Sequence, residues 1–120
     1  MFNRPILVID DDPALLETVS TILEDEGYAV EQAINGAEGL KVIERIQPTL
    51  IVLDMRMPVM DGWGFSKVLR ERGLRFPILV MTAAQDAQRW AQEIDADGFL
   101  AKPFELNDLI DAIARYRTKS

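Results

Sequence analysis

The chain has 120 residues, 48% of them hydrophobic, enough for one folded domain with a real core but not for two. Thirteen basic against twenty acidic side chains leave a net charge of −7, which disfavours direct contact with nucleic acid or anionic lipid. Cysteine and histidine are both absent, which excludes disulfide frameworks, thiol nucleophiles, serine–histidine triads and the usual zinc ligand sets. No apolar run is long enough to span a bilayer, and Met1-Phe2-Asn3-Arg4 lacks the apolar segment of a signal peptide, so membrane insertion is not expected and a cytoplasmic protein is.

In chain order, the first apolar run, Ile6-Leu7-Val8-Ile9, has the continuous character of a strand buried on both faces of a parallel sheet. It runs into Asp10-Asp11-Asp12. Asp12 has a structural explanation as the cap of a helix with Pro13 at its first position, an apolar face of Leu15, Leu16, Val19, Ile22 and Leu23, and Gly27 as terminator. Tyr28 to Ala33 alternates and reads as a shorter strand nearer an edge. Asn35 and Gly36 open a second helix carrying Leu40, Ile43 and Ile46, closed by Pro48.

Leu50-Ile51-Val52-Leu53 is a second buried run, and it stops on Asp54. Met57-Pro58 and Asp61-Gly62 then form a loop ahead of a third helix with Phe65, Val68 and Leu69, stopping at Gly73. Ile78-Leu79-Val80-Met81 is the next strand and ends on Thr82-Ala83. Trp90 and Ile94 mark a short fourth helix. Phe99-Leu100-Ala101 is a weaker strand ending on Lys102-Pro103, and Leu106, Leu109, Ile110, Ile113 and Tyr116 define a fifth helix. The basic tail of Arg115, Arg117 and Lys119 suits a helix C-terminus. Trp63, Phe65 and Trp90 read as core or half-buried helix contacts, and Met55, Met57 and Met60 as packing.

Five alternating strand–helix units predict an α/β fold: one doubly wound, five-stranded parallel sheet of flavodoxin-like order 2-1-3-4-5 with five helices. In that order strands one and three are neighbours, and the crevice at their carboxyl ends gathers Asp10, Asp11 and Asp54. Three carboxylates so close cannot all stay ionised unpaired. A hard divalent cation relieves the repulsion, and an oxygen-only donor set beside phosphate favours Mg²⁺. Thr82 adds a hydroxyl and Lys102 an ammonium to the same rim. Together these groups suit a Mg²⁺-dependent phosphoryl site, with a carboxylate nucleophile, a hydroxyl donor and a fixed cation.

From ILVIDDD through LDMRMPVMDG and MTA to FLAKPF, the chain resembles the receiver domains of two-component response regulators, over essentially its whole length. The resemblance implies that residues 1–120 form one receiver (phosphoacceptor) domain in a phosphorelay. Asp54 would take a phosphoryl group from the phosphohistidine of a sensor histidine kinase or phosphotransfer protein. Asp10, Asp11, Asp54 and the main-chain carbonyl of Arg56 would hold Mg²⁺, and Thr82 and Lys102 would contact the phosphoryl oxygens. Phe99 would be the aromatic whose rotamer follows Thr82, changing the face built from the fourth helix, fifth strand and fifth helix. The Lys102-Pro103 bond would be cis. Such a chain catalyses only its own phosphorylation and dephosphorylation, and passes the signal to an output domain or protein. A homodimer through the fourth-helix face is one association open to it.

Two features depart from the family pattern. The stretch between Thr82 and Lys102 is slightly short, and Asp95 stands where glycine is common, so a short, shifted or partly unwound fourth helix is expected. Arg56, with Ala84 two residues past Thr82, occupies a position that tunes phosphoryl lifetime, and a long cation there predicts slow hydrolysis. Of the rival readings, an aspartyl phosphatase would need a carboxylate at position 56, and a flavin module would need a phosphate-cradling loop in place of Asp10-Asp11-Asp12. A docking module that is never phosphorylated would not need all five site residues.

Overall fold

The computed structural model describes residues 4–117, so Met1–Asn3 and the expected helix-terminal role of Lys119 lie outside the described residues. Strands β1 (Ile6–Ile9), β2 (Val30–Ala33), β3 (Leu50–Leu53), β4 (Ile78–Ala83) and β5 (Gly98–Lys102) alternate with helices α1 (Pro13–Asp25), α2 (Gly36–Arg45), α3 (Gly62–Glu71), α4 (Ala87–Glu93) and α5 (Leu106–Tyr116). All pairings are parallel and the order is β2-β1-β3-β4-β5, as the sequence pattern predicts.

The apolar runs are continuous because the sheet is covered twice. Leu7, Ile9, Ile51, Leu53 and Val80 face Leu40, Ile43, Phe65, Leu69, Trp90 and Ile94, from α2 and α3, α4 and the turn after it. Their neighbours Ile6, Val8, Leu50, Val52, Leu79 and Met81 face Leu16, Val19, Leu23, Leu109 and Ile113, from α1 and α5. Strand alternation thus sends successive side chains into two separate cores. With both faces buried, a one-residue slip of any central strand would exchange its two side-chain sets, so the register is firmly set. Phe65 is fully buried, Trp90 nearly so, and Met57, Met60 and Trp63 pack partly buried against the first core.

Helix starts are written in short polar side chains. Asp12 accepts from the Ala14 and Leu15 N–H groups at 3.0 and 3.3 Å, Asn35 from Glu38 N–H at 2.9 Å, and Asp61 from Gly64 N–H at 2.8 Å. Gly27 and Gly73 close α1 and α3 with φ of 95° and 69°. Strand β2 begins later than the alternation suggests, because the Tyr28 N–H is bonded back to the Leu23 carbonyl at 3.1 Å. The Tyr28 ring instead meets the Arg117 guanidinium at 5.5 Å, so Arg117 stacks on an aromatic next to the end of α5. Arg115 lies in the last turn of α5.

The unusual stretch after β4 has a local explanation. Helix α4 has only seven residues, and its N-cap Asp86 makes no side-chain capping bond but pairs with Arg89 at 2.8 Å. Asp95 has φ 56°, the left-handed conformation that glycine adopts freely and that aspartate tolerates better than most residues. The helix is short, as expected, and the turn keeps its shape without glycine. Among the described residues no helix is long and apolar enough to cross a membrane.

Replacing Asp12 by Ala should lower stability by about 1 kcal/mol in chemical denaturation, whereas Asp12→Asn should stay within a few tenths of a kcal/mol of the parent.

Candidate functional site

The site is assembled by strand ends. The Asp54 N–H donates to the Ile9 carbonyl at 2.9 Å, extending the β1–β3 ladder one step past the strands and seating Asp54 beside Asp10. On the other side of β1, the Asp10 N–H donates to the Ala33 carbonyl at 3.1 Å. Asp10 is fully buried, Asp11 is exposed and Asp54 is 6% exposed. One carboxylate oxygen from each lies within 4.8 Å of the others, so the three side chains expected to converge do so.

Each buried carboxylate has specific partners. Asp10 Oδ1 accepts from the Asp12 N–H at 2.9 Å, and Asp10 Oδ2 accepts from Lys102 Nζ at 3.1 Å. Asp54 Oδ1 accepts from the Met55 N–H at 2.9 Å and stands 3.9 Å from Lys102 Nζ. The ammonium is therefore shared, and sits nearer Asp10. Burial, followed by the charge of Asp10, raises the Asp54 pKa to about 6, against the opposing pull of Lys102 and the Met55 N–H; Asp11 adds a smaller upward push. A carboxyl held this way gains from any further cation among the three oxygens, so the pocket is suited to a metal ion.

Thr82 is buried and pairs in register with Ala101, one step before Lys102, so hydroxyl and ammonium share the rim. Phe99 pairs with Val80, two residues below Thr82, and is 44% exposed, turned away from the core. The Lys102-Pro103 bond is cis, as expected. The Arg56 side chain is exposed, makes no ion pair among the described residues and lines an open cleft of about 600 Å³ with Met57, Pro58, Asp61, Trp63 and Trp90.

Two sets of contacts at the start of α3 carry no plain signal in the sequence. Gly62 N–H donates to the Met55 carbonyl at 2.9 Å, and a Cβ at Gly62 would meet Met55 Sδ at 2.5 Å, Met55 Cα at 2.9 Å and the Asp54 carbonyl oxygen at 3.0 Å. Asp61 and Gly62, which the sequence places in the loop, are the N-cap and first residue of α3, where the glycine permits this close approach. Trp63 packs edge-on against Trp90, with ring centroids 4.9 Å apart, and donates from Nε1 to Glu93 at 2.8 Å. Nothing in the residue spacing signals that second contact.

Comparison with known proteins agrees with this fold. The family model for the response regulator receiver domain matches residues 6–114. The chain is 41% identical over 109 residues to the DNA-binding dual master transcriptional regulator RpaA of Synechocystis, covering 88% of this chain and 45% of RpaA. It is 40% identical over 118 residues to the Bacillus subtilis alkaline phosphatase synthesis transcriptional regulatory protein PhoP, covering 94% and 49%. The chain thus spans about half the length of the relatives it matches. Among solved structures, the Vibrio cholerae chemotaxis protein CheY4 superposes with a TM-score of 0.85 at 31% identity, covering 96% of this chain and 99% of CheY4.

The raised pKa fixes a sign for the pH dependence. A carboxyl titrating at 3.8 when unfolded and at about 6 when folded disfavours folding once it must ionise, so its contribution is lost as pH rises from about 4 through 6. With a chelator present, Asp54→Asn should be more stable than the parent above pH 6 by an amount on the order of 2 kcal/mol. The difference should fade below about pH 4, as followed by urea unfolding across pH.

Proposed function

The chain belongs to the response regulator receiver family, and on that basis we propose that Asp54 is its phosphoacceptor, taking a phosphoryl group from the phosphohistidine of a sensor histidine kinase or phosphotransfer protein. The observation that carries this reading is the convergence of Asp10, Asp11 and Asp54 at one strand-end rim with Lys102 shared between two of them.

The donor set fits Mg²⁺: it is all oxygen, clustered and partly open to solvent through Asp11, and Mg²⁺ needs only one or two carboxylates while keeping several waters. Asp10, Asp11 and Asp54, with the main-chain carbonyl of Arg56, would hold it. When bound, the ion supplies positive charge against the carboxylates and the phosphoryl oxygens.

The protein's own groups divide the remaining work. An Asp54 oxygen attacks phosphorus, a P–O bond forms as the donor's P–N bond breaks, and the imidazole leaves with the electron pair. The Met55 N–H orients the Asp54 carboxylate by hydrogen bonding to Oδ1. The Lys102 ammonium, held close by Asp10, offers a fixed cation to the incoming oxygens, and Thr82 offers its hydroxyl. With no histidine in the chain, the phosphoryl group must come from outside. The chain promotes only its own phosphorylation and dephosphorylation, and residues 1–120 act as one cytoplasmic phosphoacceptor unit that signals to an output domain or protein.

Phosphorylation adds about −1.5 to −2 charges and three strong acceptors at Asp54. Drawn toward them, Thr82 and Lys102 vacate space on the β4–β5 edge. Phe99, exposed next to that edge, turns in to fill it and remodels the face of α4, β5 and α5.

Intact-mass measurement after incubation with acetyl phosphate should show one added phosphoryl group that requires Mg²⁺ and vanishes in Asp54→Ala. No adduct in the parent protein would leave a docking role that does not use phosphorylation. Arg56 shields the product from water, so the phosphoryl group should decay several-fold faster in Arg56→Ala; an unchanged half-life would contradict that role.

A further inference from the structure

Resting on Asp54 as phosphoacceptor, we propose that Trp63 is a positioning residue that relays phosphorylation to α4 through Met55 and Gly62, by a route separate from Thr82 and Phe99. The route is a continuous series of contacts. Asp54 Oδ1 accepts from Met55 N–H at 2.9 Å, and the Met55 carbonyl accepts from Gly62 N–H at 2.9 Å. Gly62 is the first residue of α3, and Trp63 follows it. Trp63 then reaches α4 twice: its ring meets Trp90 edge-on at 4.9 Å, and its Nε1 donates at 2.8 Å to Glu93, the last residue of the helix.

Each link has a physical reason to transmit. Phosphorylation turns the Asp54 carboxylate into an acyl phosphate, so the Met55 N–H exchanges a charged acceptor for a weaker neutral one or for a phosphoryl oxygen in a new place. Met55 is fully buried and pressed against Gly62, with no room even for a methyl group, so it cannot shift without moving the start of α3. At the receiving end, α4 is only seven residues long and its N-cap makes no side-chain capping bond. Ala87, Trp90 and Ala91 seat the helix on the core, while its exposed last residue, Glu93, is held by Trp63, so a shift of Trp63 acts on its C-terminal turn. The route ends on the same helix that the Thr82–Phe99 movement reaches, but shares no residue with it beyond Asp54.

The test uses Trp63→Phe, which keeps an aromatic edge but removes the N–H donor; Glu93→Ala, an exposed site where folding is not at risk; and Glu93→Gln, which still accepts a hydrogen bond. Phosphorylation of each is first measured by intact mass with acetyl phosphate and Mg²⁺, then amide chemical-shift changes on phosphorylation are mapped over Ala87–Glu93 and over Phe99–Lys102. All three variants should be phosphorylated as the parent is. In Trp63→Phe and Glu93→Ala the α4 response should fall by about half or more, with the Phe99–Lys102 response intact and Glu93→Gln close to the parent. Normal phosphorylation with a full α4 response in both variants would overturn the relay and leave the phosphoacceptor reading standing. A parent protein that is not phosphorylated would overturn both.

Discussion

Like charges held together out of water are the constraint on which this structure turns. Asp10 and Asp54 are buried side by side at the ends of neighbouring strands, with Asp11 close by, and the charges of Asp10 and Asp11 raise the cost of ionising Asp54. Left alone, such a cluster would push its strands apart or hold a proton. Lys102 and the Met55 and Asp12 N–H groups offset part of the repulsion, and burial, ahead of the charge of Asp10, keeps the Asp54 pKa raised. A site in that condition favours whatever brings positive charge.

The rest of the chain keeps that cluster in place. Two apolar cores on opposite faces of the sheet lock the register of β1 against β3, and that register alone places Asp10 and Asp54 together. The same logic extends outward, since β4 and β5 bring Thr82 and Lys102 to the rim with no contact needed between them. Packing energy spent far from the pocket thus fixes its geometry. The groups that the proposed switch would move are an exposed Phe99, a seven-residue α4 and a shared ammonium with two acceptors within reach.

Much of this was legible in the sequence because the relevant signals are local. Continuous apolar runs mark doubly covered strands, a charge at a run's end marks the rim, and Asp12, Asn35 and Asp61 announce their helices. The five site residues follow once the strand order is assumed. What could not be read depends on distance through space. Tyr28 looks like part of a strand until the Leu23 carbonyl is seen to hold its N–H. Asp95 looks like a defect until its left-handed backbone shows it keeping the turn. Trp63 reads as a core or half-buried helix contact, which its ring is, but its hydrogen bond to Glu93 depends on where a short helix comes to rest. Nor does any spacing rule tell which of two carboxylates Lys102 prefers.

The proposed chemistry puts an acyl phosphate on one particular carboxylate. Borohydride reduction of the phosphorylated protein, followed by peptide mapping, tests it most directly, because reduction converts a phosphorylated aspartate to homoserine and leaves free carboxylates untouched. Homoserine is expected at position 54, in the phosphorylated sample alone. Homoserine at Asp10 or Asp11 in its place, or none in protein that carries the added phosphoryl mass, would contradict it.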